Sequence, residues 1–117
     1  MVIVDTSIWI THLREGLPRL KDLLLKNIVL CHPFIIGELA CGDINNRKEI
    51  LSLLEDLPQP KIASHQQILY FIESKKLMGK GLGFIDMHLL ASAYLSKVLI
   101  WTEDNKLRGM AEHLHLL

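Results

Sequence analysis

The sequence has little of what staples, breaks or loosens a chain: two cysteines, four prolines and seven glycines in 117 residues. Cys31 and Cys41, both inside apolar runs, are too few for a disulfide scaffold, so buried free thiols kept reduced are expected, as in a cytoplasmic protein. Half the residues are hydrophobic and 22% are charged, which excludes a disordered or fibrous chain and predicts a real core. Net charge is also lacking, because 13 basic and 13 acidic residues cancel. No global positive field advertises a polyanion, although a neutral total is compatible with a local basic groove. The opening MVIVDTSIWI has no basic leader and meets Asp5 after four residues, so it reads as neither signal peptide nor membrane span. Without a repeat or low-complexity linker, residues 1–117 are expected to form one domain.

What is present is an alternation of short apolar runs and longer helical patterns. Residues 1–4 read as a strand, and Asp5-Thr6-Ser7 can cap a helix through Ile8 to Leu13. Leu17 to Lys26 has helical spacing, and IVLC after Asn27 reads as a buried strand. Helices follow over about 33 to 41, starting at Pro33, and over Arg47 to Leu57, stopped by Pro58-Gln59-Pro60. Lys61 to Ser64 is expected as a brief edge strand, with a helix from Ser64 or His65 to Leu77. Gly79, Gly81 and Gly83 mark a turn before a helix from Phe84 to Leu95, and VLIW is the next buried strand. Strands alternating with helices imply an α/β fold: a parallel sheet with helices on both faces and the strand carboxyl ends along one edge.

Four acids interrupt this pattern: Asp5 after MVIV, Glu38 within FIIGELACG, Asp86 opening a helix, and Asp104 just after VLIW. Carboxylates set against apolar segments cost several kcal/mol if desolvated and unpaired, so they require water, a cation or a metal. Asp5 and Asp104 fall at strand carboxyl ends, where ligands of open parallel sheets bind. Glu38 shares a helix with Ile35 and Leu39 and is read as looking inward from a rim, as is Asp86. Converging carboxylates repel unless a divalent cation neutralises them, and hard oxygen donors favour Mg²⁺ or Mn²⁺. Such ions support phosphodiester hydrolysis. A plainer reading stands beside this one: Asp5 as a cap or turn residue, and Asp86 and Asp104 as first-turn acids favoured by helix dipoles.

The remaining polar residues read more simply. The six histidines, His32 and His88 among them, form no zinc spacing with cysteine and read as solvated or hydrogen-bonded; His88 is read as a surface or packing residue. Trp9 and Trp101 read as core. Lys75, Lys76 and Lys80, with Arg14 or Arg108, are the local basic groups that could grip phosphate, though a solvated helix end explains the lysines.

The stretches VDTSIWITHLREG, HPFIIGELACG, RKEILSLLEDLP, GKGLGFIDMHLLASA and WTEDNKL, in this order and across essentially the whole chain, resemble the PIN-domain ribonucleases, and within them the VapC toxins of prokaryotic toxin–antitoxin pairs. The resemblance implies a three-layer α/β/α sandwich around a parallel sheet and Mg²⁺- or Mn²⁺-dependent RNA cleavage. It also implies a homodimer and inhibition by a cognate antitoxin. By the same resemblance Asp5, Glu38, Asp86 and Asp104 form the acidic metal-binding site, supported by Thr6, Ser7 and Thr102. The chain departs from its relatives at Glu103 and Asn105 beside Asp104, and its AEHLHLL end is short for the strand that closes the family sheet. Two other classes of function fit an acid pocket: a receiver-like phospho-acceptor, which requires a switch lysine, and a non-enzymatic module that accepts a partner's arginine.

Overall fold

Three apolar runs pair side by side in the computed structural model, which describes residues 1–117. Strand β1 (Val2–Val4) lies between β2 (Val29–Leu30) and β3 (Leu99–Trp101), and both pairings are parallel. Val2 stands opposite Val29 on one side and Leu99 on the other. The central position of β1 buries Ile3 and Val4 completely, which is why this strand carries no polar alternation.

Seven helices complete the chain: α1 (Thr6–Glu15), α2 (Pro18–Leu25), α3 (Pro33–Ala40), α4 (Arg47–Glu55), α5 (His65–Ser74), α6 (Phe84–Ser96) and α7 (Asn105–His113). The expected α/β architecture with a central parallel sheet is therefore the one observed. Residues of all three strands and all seven helices share one apolar core, in which Ile8, Leu20, Ile35, Ile68, Leu89, Leu90 and Leu107 are almost fully enclosed.

Local differences from the sequence reading have physical causes. The edge strand expected at Lys61 to Ser64 does not form. Pro58 and Pro60 withhold donors just ahead of it, the Lys61 N–H bonds the Ser96 hydroxyl, and Ser64 caps α5 in a reciprocal box with Gln67. Helix α5 ends at Ser74 rather than Leu77, because Lys76 turns into the left-handed region at φ 56°. Cys31 is buried as expected, whereas Cys41 is exposed at the end of α3. At the carboxyl end no further strand forms. After α7 the chain returns beside β3 through a single backbone bond, from the Ile100 N–H to the Leu116 carbonyl.

Candidate active site

Parallel order brings Asp5 and Thr102 to the same sheet edge. The Asp5 N–H still donates to the Trp101 carbonyl at 2.9 Å, so the ladder runs one residue past β1 before the chain turns into α1. Asp5 Oδ1 accepts the Thr6 N–H at 2.8 Å, which caps the helix. Its Oδ2 accepts the Thr102 hydroxyl at 2.7 Å and the Ser7 hydroxyl at 3.3 Å. Asp5 and Thr102 are both buried, so three donors around one carboxylate fix its orientation.

The other acids attach to this centre. Glu38, on α3, accepts the Thr6 hydroxyl at 2.8 Å. Thr102 Oγ1 accepts the Asp104 N–H at 3.0 Å, and Asp104 in turn caps α7 by accepting the Leu107 N–H. Asp86, in the first turn of α6, accepts the Gly83 N–H at 3.1 Å. Burial raises the Asp86 carboxyl above its ordinary value; the Gly83 hydrogen bond opposes that shift, and the charges of Asp5 and Asp104 add to it. All four acids and the supporting Thr6, Ser7 and Thr102 thus belong to one neighbourhood.

One inference from the sequence is corrected. Glu38 is exposed, not buried with Ile35 and Leu39, which point into the core. Desolvation therefore does not explain its presence, and its place is an open rim. Asp104 is also exposed and Asp86 half-buried, so Asp5 alone sits deep. The capping readings of Asp5 and Asp104 hold as well, since each uses one oxygen as a helix cap and leaves the other facing the cluster or solvent.

No cation balances this charge. The one ion pair in the molecule joins Lys26 to Asp22, so no Lys, Arg or His lies within ion-pair distance of the four carboxylates. A receiver-like reading, which needs a lysine beside the acids, loses its support. The donors are all hard oxygens, Asp5 buried and the others toward a water-accessible rim, a set whose chemistry suits Mg²⁺ or Mn²⁺. As they stand, no three of them are near enough to enclose an ion, although their charges are close enough to perturb Asp86. Capping bonds tether one oxygen each of Asp5, Asp86 and Asp104.

The largest cavity, about 690 Å³ between α5 and α6, is lined by none of these acids. Glu38 instead borders a smaller apolar shelf with Phe34 and Ile85. The sequence reading gave Phe34 and Phe84 no role beside the acids, and took His32, which is buried and caps α3, as a solvated or hydrogen-bonded histidine. The signal was present, since Phe34 precedes Glu38 by four residues and so lies next to it on the helix surface. His88 is buried packing between those rings, and Trp9 is core as expected. Trp101 is half-buried under the Arg19 guanidinium.

The PIN domain family model matches residues 2–113. Two curated relatives, each called Ribonuclease VapC32, come from Mycobacterium tuberculosis strains CDC 1551 / Oshkosh and ATCC 25618 / H37Rv. Each is 41% identical over 110 residues, covering 93% of this chain and 89% of the relative. No solved structure gives a significant match. With the family's pattern running through nearly every element that builds the acid cluster, the chain belongs to the PIN domain family.

Proposed function

We propose that this chain is a metal-dependent endoribonuclease and the toxin of a toxin–antitoxin pair, acting in the cytoplasm as a single domain that forms a homodimer. The observation that carries the reading is the linkage of Asp5, Glu38, Asp86 and Asp104 through Thr6, Thr102 and short-range charge, with no cation to balance it. The similarity to proteins called ribonucleases supplies the substrate class.

In this reading Asp5 is the fixed ligand, held in place by Thr6, Ser7 and Thr102. Glu38 and Asp104, exposed on either side, supply further oxygens and orient water. Burial raises the Asp86 carboxyl, so of its two forms the neutral one is favoured while no cation is present. A bound Mg²⁺ or Mn²⁺ supplies positive charge for the scissile phosphate and increased acidity for a nearby water. Lys75, Lys76 and Lys80 surround a separate concavity with His113 and serve as a surface for flanking phosphates.

A cognate antitoxin blocks the site by placing a basic group against the unpaired acids, where a guanidinium would find several carboxylate acceptors. Purified chain is expected to cleave RNA with Mg²⁺ or Mn²⁺ and not with a chelator. Asp5→Asn or Glu38→Gln lowers the rate on the order of 100-fold or more while the circular dichroism spectrum is unchanged. Cleavage that persists in chelator, or in both variants, sinks the proposal.

A further inference from the structure

Two phenylalanines flank the acid cluster with their rings substantially in water. Phe34, on α3, is 39% exposed and Phe84, at the start of α6, is 47% exposed. Neither ring is loose. Buried His88 packs edge-on to both, with centroids 4.6 Å from Phe34 and 4.8 Å from Phe84, and His32 lies 5.0 Å from Phe34. Aromatic side chains held this rigidly yet left uncovered are a poor solution for stability alone, because exposure forgoes the gain of burying them.

Phe34 also forms the wall of a shallow shelf of about 290 Å³, completed by Pro33, Gly37, Glu38, Cys41 and Ile85. Gly37 sits inside helix α3, where glycine costs roughly 1 kcal/mol against alanine. No steric reason requires it, since a Cβ at this position would meet nothing within 4 Å. Its φ is not in the left-handed region either. What the missing side chain does is keep the shelf floor open beside Glu38.

We infer that this shelf is a nucleobase subsite: a base of the RNA strand stacks on Phe34, with Phe84 and the buried His88 bracing the aromatic edge, while its neighbouring phosphate lies at the acids. The inference rests on the nuclease reading and adds to it how the strand is gripped. A strand held at Glu38 carries a base within one nucleotide of Phe34, so the occupant arrives with the substrate and needs no further segment. The shelf is small, at the lower end of small-molecule sites, and suits one planar ring rather than a folded peptide. Its lining is almost wholly apolar apart from Glu38, which matches recognition by stacking rather than by base-edge hydrogen bonds, so tolerance of base identity is expected here.

The test uses single-stranded RNA carrying 2-aminopurine at successive positions around the mapped cleavage site, bound to full-length Asp5→Asn protein with Mg²⁺. Fluorescence at one position is expected to be quenched. The quench is lost when Phe34→Leu is added and is kept with Phe34→Tyr. In the otherwise intact enzyme, Phe34→Leu lowers kcat/KM on the order of tenfold, mostly through KM. Gly37→Leu, which fills the shelf from an open position, has the same effect without lowering the melting temperature. Unchanged quench and kcat/KM in both leucine variants overturn the stacking inference and leave the nuclease reading standing. The same result accompanied by loss of a co-purifying partner protein assigns the shelf to that protein and equally overturns it. Intact chain that cleaves no RNA with either ion overturns the nuclease reading and this inference with it.

Discussion

Single side chains at this site carry structural and chemical duties at once, and His32 shows how the two are coupled. Its Nδ1 accepts the Phe34 N–H at 3.0 Å and so caps α3, while its Nε2 is buried without a partner. Burial, and secondarily the nearby His88, lower its pKa from 6.5 to about 4, so the ring stays neutral in the fold. In the unfolded chain the same ring takes up a proton near its ordinary value of 6.5. Between those two values the unfolded state holds more protons, so stability is full above 6.5 and is lost as pH falls toward about 4. The loss from this group by pH 4 is about 3 kcal/mol. His32→Asn keeps a capping oxygen but has no proton to gain, so thermal melts between pH 7 and pH 4 should show a shallower decline than the parent. An identical decline in the two proteins would remove His32 as its source.

Secondary-structure elements set where each acid points, and helix starts do most of the placing. Asp104 caps α7 and also belongs to the acid cluster, so the capping and metal-site readings are not rivals. Substitution separates them. Asp104→Ala should lower stability by about 1 kcal/mol along with activity, whereas Asp104→Asn, itself a good cap, should retain the melting temperature and still lose cleavage. Equal activity in Asp104→Asn and parent would reduce Asp104 to a cap. The strand-edge acids were legible in the sequence because a buried strand is a short apolar run and a charge at its end has only the sheet edge to occupy, as at Val4-Asp5 and Trp101 to Asp104. Glu38 was legible as an isolated charge at a rim but not as an exposed one, since apolar density in FIIGELAC hides which side of α3 faces the core. The edge strand at Lys61 failed because the Ser96 hydroxyl takes the Lys61 N–H and the Ser64 hydroxyl caps α5 at Gln67. Phe34 and Phe84 were hidden for another reason: an aromatic residue in an apolar helix reads as core, and only packing against His88 shows both rings stopped at the surface.

Across the whole molecule, the fold draws together acids that are distant in sequence; the hydrogen bond between Asp5 and Thr102 spans 97 residues. Concentrating uncompensated negative charge opposes folding, so the site is a place where function and stability should conflict. Asp86 shows this most directly, because burial and the charges of Asp5 and Asp104 all disfavour its ionised form in the folded state. Asp86→Asn preserves an oxygen for the Gly83 N–H while removing the charge. In chelator, this variant should melt higher than the parent. With saturating Mg²⁺ or Mn²⁺ the order should reverse. The parent gains stability from binding, about 2.7 kcal/mol at a hundredfold excess over Kd, and the variant, having lost a ligand, gains less. Thermal melts of both proteins with chelator and with each ion provide the comparison. A parent that melts identically in chelator and in metal would show that the acids do not bind the ion. A variant that is less stable in both conditions would instead make Asp86 a structural carboxylate, held by α6 for the fold and not for the reaction.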